Sequence, residues 1–422
     1  MARERSVKHL VIGAGVHGLS TAWHLAERGE EVLVVDKTAV AAGASGIACG
    51  VVRNNYFQPA MSELMAACVE IWESDPEMLH YHGSGYIALG DGDQEADLTT
   101  VAERQERIGY ESDLILGEQE VAAHMKGLFP DWRAPGLSVC LHEHRGGFAF
   151  NKDSINGLAQ KAIHAGAEIS EGIEVRGFEM DDSGAVTRVN TTAGPVNVEQ
   201  VIVAVGPWVA KLWGLLELPR RLEVAGVEKE MWTYWYLQEG EIDVDPSMFV
   251  TADGKLPPVL HVDSHAPLAA DDGKLVTDEQ WGVYFKQDKD SVQGGASPLP
   301  KGHDFRVDPY PTGSAEPGFP DLWCAALSHC MERFEGSRPK YHDVRSGGVG
   351  AFTADNFPVF DYMRPNVFVI ADSNHGYKMI AVGREVANVV LGEHSSLLHP
   401  FRYERFATGD LHPVSHSPYP WS

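Results

Sequence analysis

The chain has 422 residues, 44% of them hydrophobic, enough to fill the cores of one large or two medium domains. Lys and Arg number 34 against 60 Asp and Glu, and the formal net charge of −26 argues against nucleic acid or an anionic membrane as partner. Five cysteines (Cys49, Cys68, Cys140, Cys324, Cys330) with no CxxC pair exclude a disulfide framework and a zinc site, and fit free thiols in a reducing compartment. No apolar run reaches the roughly 18 residues that span a bilayer. Met1 to Arg5 leads straight into the first strand, leaving no signal peptide, so the expected setting is the cytoplasm.

The β-branched run from Val7 to Ile12 predicts a buried parallel strand. Gly13 then makes a tight turn, Gly15 lets the backbone approach a pyrophosphate, and Gly18 permits close packing of a helix from Val16 to about Arg28. The first N–H groups of that helix, at Val16 and His17, face the anion. A second strand, Glu31 to Val35, ends in Asp36, an acid about twenty residues on that suits a ribose hydroxyl rather than a 2′-phosphate. Lys37 follows it. At this point the dinucleotide is equally NAD or FAD.

Small residues run from Ala41 to Gly46, where bulk would obstruct something lying against the backbone. A helix is expected from about Met61 to Glu73 and a strand from Gly85 to Gly90, and residues 95–127 read as polar and helical. A strand from Leu137 to His142 leads through Gly146-Gly147 to a helix from Asp153 to His164. That helix stops at Gly166 and feeds a strand, Glu168 to Ser170. Val198 to Val205 reads as a buried strand closed by Gly206-Pro207-Trp208. Residues 219–340 carry aromatic strands, such as Met231 to Tyr236 and Gly282 to Phe285, between Pro-, Gly- and Asp-rich loops, the pattern of an antiparallel sheet. The α/β rhythm returns with a strand at Val367 to Ala371 and a helix from Met379 to about Leu391. The predicted class is α/β (α+β overall). A Rossmann-like dinucleotide-binding domain of separated segments (1–82, 148–218 and 341–408) is interrupted by an antiparallel substrate domain (83–147 and 219–340), and residues 409–422 form an extended tail. Most nicotinamide dehydrogenases keep their nucleotide domain contiguous; flavin enzymes often do not.

Four stretches beyond the glycine turn carry a family resemblance. Gly43-Ala44-Ser45-Gly46-Ile47-Ala48-Cys49-Gly50 is similar to a small-residue loop beside a flavin. Val201 to Trp208 matches a cofactor-contacting strand and turn. Gly350-Ala351-Phe352-Thr353-Ala354-Asp355-Asn356-Phe357-Pro358 stands where a T-x-D-x-x-P loop is written, and Ser373-Asn374-His375-Gly376-Tyr377-Lys378 where S-G-H-G-F-K precedes a helix. Pro400 to Phe406 is similar to the end of a sarcosine oxidase β-subunit. Together these identify the chain as resembling the D-amino-acid oxidase superfamily of FAD enzymes, in its glycine oxidase and sarcosine oxidase branch. No CxxxxC pair follows the first helix, as in disulfide reductases, and no late Gly-Asp-Ala-Ala-His segment appears, as in aromatic hydroxylases.

The resemblance implies FAD as cofactor and oxidation of a C–N bond in a small amino acid or secondary amine, with oxygen or another electron acceptor and, for a β-like subunit, partner subunits. It implies cofactor contacts at Gly13, Gly15, Val16, His17, Gly18, Asp36, Lys37, Ala44, Ser45, Val175, Ala204, Gly206, Trp208, Gly350, Asn374, Gly376, Tyr377 and Lys378. Arg53 falls where related sarcosine oxidases place a carboxylate-binding arginine, with Tyr56 beside it, and Lys378 falls on a second carboxylate-side lysine. Without the family, Arg53 reads first as a surface partner of an acid such as Glu63. His375 stands on the cofactor side, as a hydrogen-bond partner of flavin or as the acceptor of the substrate's ammonium proton, or is structural. Trp232, Tyr234, Trp235 and Tyr284 form either core or an aromatic cage for a cationic amine. His142 and His144 share a strand face with no third ligand, so no metal is expected. Gly350 occupies the place of the cysteine that tethers FAD in monomeric sarcosine oxidases, so covalent flavin at that site is excluded and non-covalent FAD is expected. The oxygen-assisting lysine of those enzymes has Gln293 as its nearest match, with Lys286 or Lys289 standing in only under a different strand pairing.

Overall fold

The computed structural model describes residues 5–296, 298–310, 316–342, 348–371 and 376–416. The first β-branched run forms the strand Arg5–Ile12, which pairs in parallel with Val32–Val35 on one side and Gly194–Val203 on the other. Glu168–Ser170 and Val367–Ala371 extend the parallel set, and three antiparallel strands complete eight. Apolar side chains point both ways because both faces are covered. Val11, Val34 and Ile202 meet helices Val16–Glu27, Asn151–Ala165 and Ala381–Val390. Leu10, Ile12, Val201 and Val369 meet a layer that holds Trp213, Trp232 and Tyr234.

A second sheet of eight strands lies across the open end of the first. Its centre is Val259–Ser264, paired in parallel with Tyr86–Gly90 and antiparallel with Trp281–Gln287. Alternation sorts its side chains. Leu260, Val262, Val283 and Phe285 join an outer core, while Tyr86, His261, Tyr284 and Lys286 take the opposite, inward face.

Two sequence expectations are corrected here. Residues 95–127 are not one helical stretch: Glu95–Arg107 and Glu118–Leu128 are separated by a strand, Ser112–Leu116, paired with Val139–Glu143. Gly109 and Gly117 hold φ of +70° and +98°, which ends one helix and opens the next. Residues 219–340 are not all sheet either. Phe319–Cys330 is a helix that buries Trp323, Cys324 and Leu327 against the outer core. Residues 410–416 carry neither helix nor strand.

Two buried ionic groups tie distant segments together. Asp355 receives Arg405 in a bidentate pair at 2.8 Å on each arm, and the same guanidinium donates to the carbonyls of Phe357 and Phe401. Burial pushes the Asp355 pKa up, but the Arg405 hydrogen bonds and charge and the Thr353 hydroxyl outweigh it and hold the carboxyl below its ordinary value. The Thr-x-Asp loop and the Pro400–Phe406 segment thus form a single clamp. Glu143 is the second tie. It accepts from the Asn54 backbone N–H at 2.9 Å and the Gln105 amide at 2.7 Å, and burial pushes its pKa up to about 7.

Arg405→Met strands a buried carboxylate, so chemical denaturation should show a loss of about 3–5 kcal/mol; a loss under 1 kcal/mol would mean that the clamp carries no stability. For Glu143, the folded state keeps its proton up to about 7, whereas an exposed glutamate releases it near 4.5. Between those values the folded state binds more protons, so this group's contribution to stability falls as pH rises. Glu143→Gln should therefore flatten the decline of stability across that window, measured as the difference between variant and parent.

Candidate functional site

A deep cleft runs from the end of the strand Arg5–Ile12 to the inward face of the second sheet. Its floor is the glycine turn. Gly13 has φ +111°, and a Cβ there would lie 2.2 Å from the Ala204 carbonyl oxygen, so only glycine fits. Gly15, Val16 and His17 line the cleft, with Ala44 and Ser45 facing them; the Ser45 hydroxyl accepts from the Val16 N–H at 3.2 Å. Burial pushes the His17 pKa down to about 3, and its buried Nε2 has no hydrogen-bond partner among the described residues. Gly18 is a correction: it is not in the wall. Its Cβ position lies 1.9 Å from the Gly13 carbonyl oxygen, so its smallness serves the turn-to-helix packing and not contact with a ligand.

Asp36 lines the next stretch. One carboxylate oxygen braces the turn by accepting from the Ala14 N–H at 2.9 Å, and the other accepts from the Thr38 N–H at 2.8 Å. Each oxygen keeps a second lone pair, enough for ribose hydroxyls. Lys37, Val175, Ala204, Gly206 and Trp208 continue the wall. Lys37 pairs with Asp308 at 2.5 Å and lies 4.0 Å from the Trp208 ring centroid; the Trp208 indole donates to the same Asp308 oxygen at 2.8 Å.

At the far end Gly350, Gly376, Tyr377, Lys378 and Arg53 converge. Tyr377 stacks on Trp72 at 5.4 Å between centroids and meets the Ser154 hydroxyl at 2.5 Å, while Trp72 donates to the Lys378 carbonyl at 3.0 Å. These contacts fix the short turn Gly376–Lys378 that carries the lysine. Arg53 is only 9% exposed and is no surface partner of Glu63. Its guanidinium donates to the Asn55 carbonyl and lies against two rings, 4.7 Å from Tyr56 and 5.3 Å from Tyr86. Tyr56 is also a correction: it is absent from the wall, because its ring is packed behind the guanidinium, with the Lys378 ammonium 5.9 Å away. His375 and Asn374 lie outside the described residues.

The expected aromatic group divides. Trp232 and Tyr234 are core, against Trp213 at 5.4 Å and Phe305 at 5.8 Å, and Trp235 faces Phe352; Tyr284 alone of the four reaches the cleft. His142 and His144 are engaged separately, with His124 at 3.1 Å and Asp113 at 2.8 Å. All five cysteines are buried free thiols. Sequence reasoning missed Tyr86, Glu239 and His261, which line the cleft beside Arg53. The alternation in Val259-Leu260-His261-Val262-Asp263 was the available signal for His261.

This cleft fits FAD. A bare glycine backbone and a helix N-terminus of the twelve-residue Val16–Glu27 face one end, an acid with spare lone pairs follows, and a buried His17 nitrogen remains to be satisfied. Gly13, Gly15 and Val16 would hold the pyrophosphate, Asp36 a ribose, and Gly350 and Gly376 to Lys378 would stand at the ring system. Gly350 offers no thiol to tether it.

Comparison with known proteins gives the same answer. Homo sapiens peroxisomal sarcosine oxidase is 24% identical over 228 residues, 53% of this chain and 56% of that protein. Sarcosine oxidase subunit beta of an Arthrobacter species is 27% identical over 210 residues, 48% of this chain and 51% of the relative. The chain thus spans about half the length of the curated relatives it matches. Among solved structures, L-proline dehydrogenase from P. horikoshii superimposes with a TM-score of 0.76 at 20% identity, covering 97% of this chain and 100% of the other. Glycine oxidase from Geobacillus kaustophilus superimposes at 0.70 with 20% identity, covering 94% and 98%. No helix among the described residues is long and apolar enough to cross a membrane. The sequence model of the DAO family, described as FAD dependent oxidoreductase, matches residues 8–389, and with that span the chain belongs to this family of FAD enzymes.

Proposed function

We propose that this enzyme oxidises the C–N bond of a small amino acid or secondary amine, of the N-alkyl glycine or imino-acid type, by hydride transfer that leaves an imine for water to hydrolyse. One observation carries the reading. A buried guanidinium, Arg53, and an ammonium, Lys378, line the ring end of the cleft in a chain of net charge −26. Two cations there call for an anionic substrate group, and a carboxylate meets a guanidinium bidentately. The names of the relatives, which speak of sarcosine, proline and glycine, support the same substrate class.

Bound FAD supplies the hydride acceptor. The chain's own residues bind and orient. Arg53 holds the carboxylate, and the Tyr56 and Tyr86 rings packed against its guanidinium restrict its turning. Lys378 adds charge on the same side from a turn braced by Trp72. The second sheet roofs the cleft and displaces water, which strengthens both contacts. Gly13, Gly15 and Ser45 would hold the cofactor, and a substrate fixed at its carboxylate would be oriented toward it.

A second reading concerns the acceptor. Gln293 pairs across the sheet with Lys286, and the Lys286 ammonium is buried 3.5 Å from Asp288 and 4.6 Å from the Phe148 ring centroid, not in the cleft wall. That arrangement favours a dehydrogenase, such as a β-like subunit with partner chains, that passes electrons to an acceptor other than oxygen. The buried free thiols suit a reducing cytoplasm.

Anaerobic mixing with a panel of amines and amino acids tests both readings. A substrate bleaches the flavin's visible absorbance, and readmitted air restores it quickly only if oxygen is the acceptor. A flavin that no compound bleaches would instead mark an electron-carrier or structural subunit, and a preparation holding NAD and no flavin would end the reading. Arg53→Ala removes a charge-assisted contact of about 1.5–3 kcal/mol, so KM should rise at least about tenfold; an unchanged KM would remove Arg53 from the site.

A further inference from the structure

The inward face of the second sheet carries a chain of polar contacts that carboxylate binding does not use. The Tyr86 hydroxyl meets His261 Nδ1 at 2.7 Å, and His261 Nε2 meets Asp263 Oδ1 at 3.2 Å. Tyr86 and His261 both line the cleft, and Tyr86 lies against the Arg53 guanidinium. The three residues come from adjacent strands: Tyr86–Gly90 pairs in parallel with Val259–Ser264, which carries both His261 and Asp263.

The partners set the direction of this chain. An ionised carboxylate only accepts, so the Asp263 contact assigns the proton to His261 Nε2 and leaves the Nδ1 lone pair to accept the Tyr86 O–H. With the Asn55 side chain on one lone pair, the phenolic oxygen keeps the other for a donor in the cleft. A carboxylate on Arg53 puts the substrate's amino nitrogen two bonds from the carboxylate carbon, and Tyr86 lies against that same guanidinium. Hydride leaves the neighbouring carbon only when that nitrogen has a free lone pair.

We propose that Tyr86, His261 and Asp263 form a proton relay that deprotonates the substrate ammonium. This rests on the amine-oxidising reading above. The ammonium N–H bond breaks and its proton goes to the Tyr86 oxygen. The phenolic proton passes to His261 Nδ1, and the imidazolium so formed is held by Asp263. The freed nitrogen lone pair forms the C=N bond as hydride departs to FAD, the oxidant. Tyr86 and His261 are the catalytic residues, and Asp263 is a positioning residue that sets the tautomer. The His261 side chain is 18% exposed, a route for the proton to reach solvent after product release.

Other charged groups face this relay. Arg53 lies beside Tyr86, and Glu143 is its cross-strand partner. Tyr284 sits opposite His261 with ring centroids 6.5 Å apart, and its hydroxyl donates to Glu239 at 3.0 Å. The Asn55 side chain also bonds Tyr86. Arg53 and the Asn55 hydrogen bond act on the phenol in one direction, Glu143 and Asp263 in the other, and the direct contact with His261 Nδ1 decides where its proton goes.

The test is the rate of anaerobic flavin reduction across pH in the flavin-loaded enzyme, with a substrate found by bleaching. In the parent the rate should rise with pH to a plateau below the amine's own pKa. His261→Asn should lose that limb, run about 100-fold slower or more at neutral pH, and recover only where the free amine itself deprotonates. Tyr86→Phe should behave likewise, and Asp263→Asn should slow reduction in the same pH range. Acetate, a carboxylate without an amine, reports the site's integrity: its affinity, read from the flavin spectrum, should not change in the His261 and Asp263 variants. If His261→Asn fails to hold flavin, the Tyr86 and Asp263 variants decide. Variants that keep the parent's pH profile overturn the relay and leave the amine-oxidising reading intact. A parent flavin that no amine reduces overturns both.

Discussion

Gly13 has no room for a side chain, and the rest of the molecule is arranged around that fact. Its N–H donates to the Val35 carbonyl at 2.8 Å, and one residue earlier the Ile12 carbonyl accepts from Ala204 at 2.8 Å. Three strand ends are thereby drawn to one point, where a Cβ would strike the Ala204 oxygen. The first helix can start there because Gly18 lets it settle on the Gly13 carbonyl. A bare backbone at the carboxyl ends of parallel strands is where an open α/β sheet binds its ligand.

If the floor of the cleft is backbone, its roof is side chain. Period-two alternation gives the second sheet an apolar outer face, packed on the helix Phe319–Cys330, and an inner face carrying Tyr86, His261, Tyr284 and Glu239. Polar groups survive burial there because most bind one another: Tyr86 to His261, His261 to Asp263, Tyr284 to Glu239. Arg53 belongs to neither layer. It is held between them by two rings and one backbone carbonyl, so its charge sits where floor and roof meet.

The floor was legible in the sequence and the roof was not. Glycine spacing, a β-branched run and an acid at the right distance are local signals, and the residues they named, apart from Gly18, lie in the cleft wall. Gly18 was read both as a ligand contact and as the residue that admits the helix, and the close packing is what the structure shows. Tyr56 was misplaced because adjacency in sequence to Arg53 turned into packing behind it. The strand Ser112–Leu116 was hidden because its polar residues fit a helix equally well until Val139–Glu143 pairs with it. Tyr86 and His261 stand 175 residues apart, and only strand order brings them together. The substrate-side sheet matched no motif, so nothing local announced its inner face.

The clamp between Asp355 and Arg405 has a consequence for how the protein is made. A ribosome delivers the glycine turn early, yet its neighbour strand Gly194–Val203, the wall at Gly350 and the turn Gly376–Lys378 all emerge later, and Arg405 later still. During synthesis the nucleotide-binding turn therefore exists without the strand that pins it or the loop that closes the ring end. Cofactor capture would consequently wait for late-made segments, among them Arg405, which lies outside the cleft wall. Quality control of the nascent chain would sense a missing flavin only after Arg405 has been made.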